Sequence, residues 1–437
     1  MNFRCVYITP LFIIFRSKSI SYGSMRHFKL NKNGETRIMN IRAFLKTSML
    51  VVLLVAAIIG LSLISSILWG DKPEQLPEMK ELIIKDKMSI AQFGKVNNLP
   101  NPVLKNIFNL KSKPDLKKQL KEFGTPDHIR SMVGKKMALA AEHASKNWLK
   151  IPVKFACWFI FLTVIFMVFR KHTVSTALRK WMLFTAVIIF GVALGADPGP
   201  MGTVKDAVYL YGTTGAIFPP RMIALTVFLV IVFVANKYIC AWGCQAGTLQ
   251  DLIFRLNQTD KQRAIIGKQV KLPFVITNTV RVVFLFIFTI IVFMWGLDII
   301  NPIDPFKIYK PAHLGIIGGI FVAGLLLLSM FFYRPWCHLF CPFGLVGWLV
   351  EKISLVKISV DYETCIACMK CVNACPSTVM GAILKRDKKI IPDCFSCYTC
   401  REVCPTGSIH FSTRKRTMPP AGHFEKRNKM GEGGHNL

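Results

Sequence analysis

The sequence predicts an all-α polytopic membrane bundle of six transmembrane helices containing a duplicated helical hairpin, followed by a small cysteine-rich α+β domain. Three observations carry this. First, of 437 residues, 52% are hydrophobic and 18% charged, against roughly 25% charged in soluble domains. Second, six apolar runs approach the roughly 20 residues that a bilayer core requires. Third, eight of the 14 cysteines fall between Cys365 and Cys404. The 33 phenylalanines exclude general disorder. The net charge of +32 would suggest nucleic acid in a soluble chain. In a multi-pass protein it belongs to cytoplasmic loops, and nucleic acid is not an expected partner.

Residues 1–42 read as a cytoplasmic tail. Its one apolar stretch, Val6–Phe15, is too short to span, and a tidier membrane-protein start lies at Met39, so that 1–38 reads as an over-extended start or a disordered tail. No cleavable signal peptide is expected. The first span occupies 43–70, where Thr47–Gly70 carries no charge. Residues 71–148 form a polar, basic outer domain, in which Met88–Leu110 reads as two short helices around a turn. Its likeness to a DNA-binding helix-turn-helix is set aside, because the topology holds this loop away from DNA. Residues 149–256 contain spans two to four around Phe155–Phe169, Trp181–Ala196 and Met222–Asn236, and 257–353 contain spans five and six around Leu272–Leu297 and Leu314–Tyr333. The Arg170–Lys180 and Arg255–Lys271 loops are basic, whereas Asp197–Pro220 and Asp298–Lys310 are nearly balanced. The basic loops therefore face the cytoplasm. Both termini and the cysteine-rich 354–412 segment share that side of the inner membrane, and 413–437 is a basic tail.

The last eight cysteines repeat one pattern. Cys365, Cys368, Cys371 and Cys375-Pro376 are followed by Cys394, Cys397, Cys400 and Cys404-Pro405 in the same spacing. This is the two-cluster ferredoxin run, in which each fourth cysteine ligates the other cluster. Soft thiolates suit iron–sulfur clusters, whereas structural zinc takes paired CxxC units. One [4Fe-4S] cluster is then expected on Cys365, Cys368, Cys371 and Cys404. A second is expected on Cys394, Cys397, Cys400 and Cys375. Two further pairs end the hairpin copies, Cys240-Ala-Trp-Gly-Cys244 and Cys337-His-Leu-Phe-Cys341-Pro342, each at an expected cytoplasmic boundary. Spacing i, i+4 puts both thiols on one helix face. The sharper reading of Cys240, Cys244, Cys337 and Cys341 is a third iron–sulfur site between the repeats; the plainer is unliganded thiols or packing residues.

Other residues carry weaker signals. Arg281 is the charge furthest inside a span, a functional candidate or a side chain that snorkels. Asp197, Asp298 and Asp304 sit at outer helix ends, as proton acceptors or as turn formers. His313 and His338 lie at opposite ends of the last span, so bis-histidine haem is not expected. Cys5 and Cys157 read as inert. Lys385–Lys389 and Arg414–Arg416 give the 352–437 segment its positive excess, a topological bias, a lipid contact or a steering patch for an acidic partner.

Over roughly residues 150–412, the spans, the CxxxC at Cys240–Cys244, the CxxxCP at Cys337–Pro342 and the two cysteine runs together resemble the NapH/NosR-type membrane polyferredoxins. Gln245 stands where the family usually has proline, and the flavin-attachment sequence of larger members is missing. The resemblance implies a membrane electron-transfer protein, a quinol dehydrogenase-like component joining the quinone pool to a redox partner protein. Whether it is itself an enzyme is left open, and no catalytic residue is assigned. The alternatives are an assembly or metal-reductase factor for a respiratory oxidase, and a redox-sensing regulator with the outer domain as output. Membrane lipid is the remaining expected partner.

Overall fold

A computed structural model describes residues 41–69, 82–85, 88–110, 112, 114–171, 174–259, 265–266, 269–385, 393–413 and 416–424. Readings on Cys5, on 1–38 and on the Arg386–Lys389 charges lie outside these residues.

The first helix, α1 (Ile41–Trp69), is apolar on every side, as a lipid-facing span must be. Its end is fixed by Ser65 and Trp69, which both donate to the Ala193 carbonyl, at 3.0 and 2.7 Å. That carbonyl ends a π-helical turn, where wider winding frees acceptors from the helix ladder. A small helical domain follows with α2 (Ile90–Val96), α3 (Asn101–Ile107) and α4 (Pro126–Ser145). Ser89 and Gln92 form a reciprocal cap at α2, and Thr125 caps α4. Phe93, Leu104, Phe108, Ile129 and Val133 make this domain's own small core.

The bundle continues with α5 (Lys150–Lys171) and α6 (Thr176–Ala186), the latter running on as the π-helix Val187–Ala193. Asn147 and Ser175 accept from the first free amides of these two helices. Next come α7 (Pro200–Thr214), stopped by Gly215 at φ 64°, and α8 (Pro219–Ala235). Short α9 (Tyr238–Trp242) and α10 (Gln245–Leu256) carry the first cysteine pair. Then α11 (Phe274–Trp295) and α12 (Ile316–Leu328) lead to α13 (Pro335–Leu339) and α14 (Pro342–Glu351), which carry the second pair. The C-terminal domain is β1 (Lys357–Val360), α15 (Lys370–Ala374), α16 (Val379–Leu384), α17 (Thr399–Glu402) and β2 (Ile409–Ser412). The strands pair antiparallel, Lys357 opposite Ser412 and Val360 opposite Ile409.

Six spans are expected from the sequence. Among the described residues four helical stretches have the length and composition to cross a membrane: Phe44–Trp69, Lys150–Arg170, Thr176–Ala193 and Phe274–Trp295. The expected fourth and sixth are shorter, 17 residues in α8 and 13 in α12. The reason is local. α8 halts at Asn236, whose φ is 61°; α12 gives way after Leu328 to tight turn bonds from Met330 to Leu327 and Phe331 to Leu328, and the chain turns again at Arg334, φ 49°. Asn236 and Arg334 are left-handed positions that no helix can pass through. At each the chain doubles back instead of running on. Trp158, near the middle of α5, donates to Gly243 at 3.0 Å, and Gln245 reaches Gly195 and Ala196 at 3.2 Å beyond the far end of α6. The Cys240–Cys244 motif therefore dips into the helical bundle and does not lie at its rim.

Candidate metal centres

The two cysteine runs of the C-terminal domain fold alike. In the first, Ala367 and Met369 take φ 54° and 57°; in the second, Ser396 and Tyr398 take φ 50° and 60°. These residues flank the second cysteine of each run, Cys368 and Cys397. Left-handed residues on both sides of a cysteine curl the loop so that successive thiols face one centre, a strain that marks functional loops. A cavity is lined by Cys365, Cys368, Cys371 and Cys404, closed by Val360, Ile366, Leu384, Ile409 and Phe424. Cys375, Cys394 and Cys400 are buried in the same small core. Cys397 interacts electrostatically with Cys375 and Cys400.

The donor set fits iron–sulfur clusters. Each group supplies four thiols in an apolar setting, and hydroxyls lie near three of the eight sulfurs: Ser377 at 3.5 Å from Cys375 and Thr399 at 3.4 Å from Cys397 in the second group, and Thr406 at 3.7 Å from Cys404 in the first. Burial pushes the Cys371 thiol up to about 11. At Cys404 burial also raises the thiol, but hydrogen bonds from Thr406 and Ser408 outweigh it and leave it lowered.

Cys240, Cys244, Cys337 and Cys341 are all buried in the bundle core. The two pairs face each other: Cys240 interacts with Cys337, and Cys341 with both Cys240 and Cys244. Their backbones are arranged alike. A Cβ on Gly247 would lie 2.7 Å from the Cys240 carbonyl, and one on Gly344 would lie 2.8 Å from the Cys337 carbonyl. Only glycine permits that approach. Arg334 donates to the Cys240 carbonyl at 2.6 Å, Arg281 to that of Cys337 at 3.4 Å, and Lys237 to that of Gly344 at 2.7 Å.

The second cysteine run is seated on this quartet. Asp393 accepts from Lys237 at 2.8 Å and from Arg281 at 2.7 Å, all three buried. These two cations hold the Asp393 carboxyl below its ordinary range against the opposing effect of burial. Trp242 donates to the Ser396 carbonyl at 3.3 Å, and the Cys394 amide to Glu351 at 3.1 Å. Arg179 donates to the Cys397 carbonyl and to Glu402. Arg334 sits over the Phe395 ring at 5.4 Å and pairs with Asp251 at 2.7 Å.

Of the single residues picked out in the sequence, Arg281 does not snorkel; it is buried against Asp393. Asp197 pairs with Lys310, and Asp298 and Asp304 lie 3.2 and 3.7 Å from Lys205. Burial raises Asp304 to about 6. His338 is buried with Nδ1 3.1 Å from the Arg334 carbonyl, His313 is exposed, and Cys157 is half-buried. Sequence reasoning passed over Lys237 and Arg334 and took Arg179 and Arg255 only as basic loop charges. A signal was present for the first two: a basic residue stands three places before each cysteine pair, Lys237 before Cys240 and Arg334 before Cys337.

Residues 357–410 match the 4Fe-4S dicluster domain family, and residues 217–270 and 314–360 each match a 4Fe-4S binding domain family. The C-terminal segment is 37% identical over 59 residues to an uncharacterized ferredoxin of Methanocaldococcus jannaschii, covering 92% of that protein and 12% of this chain. Through this domain the chain belongs to the 4Fe-4S dicluster ferredoxins. Over a longer stretch, 215 residues, it is 29% identical to the "Putative electron transport protein YccM" of Escherichia coli (strain K12), which covers 47% of this chain and 59% of that one. An uncharacterized protein of Methanocaldococcus jannaschii is 26% identical over 194 residues, 44% of this chain and 70% of its own. The chain thus spans about three fifths of the length of the Escherichia coli relative. No solved structure matches it.

Proposed function

We propose that the protein is an integral membrane electron carrier of the NapH/NosR type, linking the quinone pool or an outer redox partner to cytoplasmic [4Fe-4S] clusters. One observation carries this reading: the second cysteine run rests on the buried Cys240, Cys244, Cys337 and Cys341 quartet through Asp393, Lys237 and Arg281. Three thiol groups in file are what a relay needs, and a lone ferredoxin would not require a membrane cysteine site beneath it. In this reading the two crossed sets of the C-terminal domain hold one [4Fe-4S] cluster each, and the quartet holds a third iron–sulfur cluster. The short α8 and α12 complete six spans, duplicated as two hairpins, with both termini cytoplasmic.

A cavity of about 550 Å³ between α5, α7 and α8 supports the quinone end. Phe155, Phe159, Ile223 and Val227 line it, with Asp197 and Asp206 at its polar edge. Gly199, also in its wall, lies beside Gln245, the neighbour of Cys244. An apolar pocket with a few polar groups is the usual form of a small-molecule site. Bound clusters would supply one-electron redox chemistry; the chain's own residues hold, insulate and align them.

The test is the detergent-purified full-length protein titrated with quinol and followed by EPR. Cluster reduction supports the reading, and clusters that stay oxidised at every quinol concentration defeat the quinone end. Iron content decides the third cluster: Cys240→Ala with Cys341→Ala should remove four irons, and an unchanged count removes that site. Reporter fusions after Leu437 and within 71–150 should give opposite signals; equal sidedness would rule out six spans.

A further inference from the structure

The two cysteine runs are alike in backbone and unlike in surroundings. In the first, the residue two places after Cys368 is Lys370, which is exposed, as is Ile366. In the second, the corresponding residue is Thr399, 1% exposed. Its hydroxyl oxygen accepts from Arg179 Nη1 at 3.2 Å and from Arg255 Nη2 at 3.0 Å. A hydroxyl has two acceptor lone pairs and one hydrogen. Both lone pairs are engaged by guanidinium groups, so what remains is the hydrogen, and Cys397 Sγ lies 3.4 Å away. Arg179 comes from α6 and Arg255 from α10, so the arrangement exists only where the domain meets the bundle.

Arginine does not lose its proton in proteins, so Thr399 is polarised permanently. Hydrogen bonds to cluster sulfurs, local charge and burial from solvent set the potential of an iron–sulfur cluster. A donated hydrogen bond and nearby cations favour the reduced cluster, which carries one more negative charge. From this geometry we infer that Thr399 is a positioning residue that raises the potential of the cluster on Cys394, Cys397, Cys400 and Cys375 above that of its partner cluster. Arg179 and Arg255 act through it. The step involved is one electron leaving the first, less buried cluster, which is oxidised, and reducing the second; no proton moves. An electron shared by the domain then rests on the cluster seated against the Cys240, Cys244, Cys337 and Cys341 quartet. The inference rests on the cluster reading above.

The experiment is a mediator-poised EPR titration of the full-length protein in detergent, with Cys368→Ser used to identify the first cluster's signal. In the wild type the second cluster should reduce first. Thr399→Val keeps the shape and removes the hydroxyl. At fixed poise it should lower the reduced-to-oxidised ratio of the second cluster about tenfold, which is about 59 mV for a one-electron couple. The first cluster should not move. Thr399→Ser should restore the wild-type midpoint, and Arg255→Gln should lower it with Thr399 intact. The inference is overturned if the first cluster reduces first, if Thr399→Val leaves the second midpoint in place, or if Thr399→Ser fails to rescue it. Wild-type protein without eight irons in its C-terminal domain would defeat the cluster reading itself. Full iron with unshifted midpoints would defeat only the role of Thr399.

Discussion

Asp393 is the residue on which the seating of the C-terminal domain should depend most. It is 2% exposed and takes Nζ of Lys237 at 2.8 Å and Nη1 of Arg281 at 2.7 Å, which are 0% and 1% exposed. In Asp393→Ala two cations remain buried with no carboxylate between them. Removing one partner of a buried ion pair costs about 3–5 kcal/mol, because the charge left behind is uncompensated. Each 1.36 kcal/mol is tenfold in an equilibrium, so the docked population should weaken by roughly two to three and a half orders of magnitude. Asp393→Asn keeps an acceptor oxygen and should cost less than alanine. Hydrogen exchange on the detergent-solubilised protein reads this directly. The Cys394 amide, which donates to Glu351, and the 393–402 segment should lose protection in Asp393→Ala. The β1–β2 amides should not, since that pairing is internal to the domain. Unchanged exchange over 393–402 would refute the reasoning, and so would an asparagine variant as damaging as alanine.

Three further outcomes follow from the geometry. Cys404→Ser should damage the cluster of Cys365, Cys368 and Cys371 and spare that of Cys394, Cys397 and Cys400, as judged by EPR of the two signals; loss confined to the second would overturn crossed ligation. Gly247→Ala and Gly344→Ala should each lower thermal stability by about 1–3 kcal/mol, the usual cost of overpacking, because the added methyl meets a cysteine carbonyl at 2.7 or 2.8 Å; alanine at Gly60, with open space around it, is the control. Glu142→Gln should loosen the α2–α4 domain less than Asp393→Ala loosens the C-terminal one, since Arg221 keeps Asp206 at 3.3 Å; limited proteolysis within α4 would measure it, and cleavage as fast as in an Arg221→Ala protein would contradict that compensation.

The C-terminal domain was legible in the sequence because cysteine spacing is itself the ligand geometry. The two short helices within Met88–Leu110 were legible as a pair around a turn, and the structure adds the Ser89 and Gln92 cap that starts the first. The long spans were legible from hydropathy alone. The doubling back at Asn236 and Arg334 was not: an apolar run does not show where its helix stops, and neither left-handed position holds a glycine. Nor could the sequence pair Arg281 with Asp393, which lies 112 residues away. A charge within a span shows its cost, but its partner emerges only from tertiary structure. Arg179 and Arg255 read as loop charges that set orientation, and their contact with Thr399 depends on two helices and a docked domain together.

The strand pair at the end of the chain also fixes where the protein can be cut or tagged. β1 leaves the last bundle helix and is closed by β2, with Arg416 adding a bond to the Ile358 carbonyl at 2.8 Å. A truncation before Ile409 would leave β1 as an unpaired edge, the kind of surface on which separate chains add to one another. Shortened versions should therefore retain Arg416, and an affinity handle belongs beyond it.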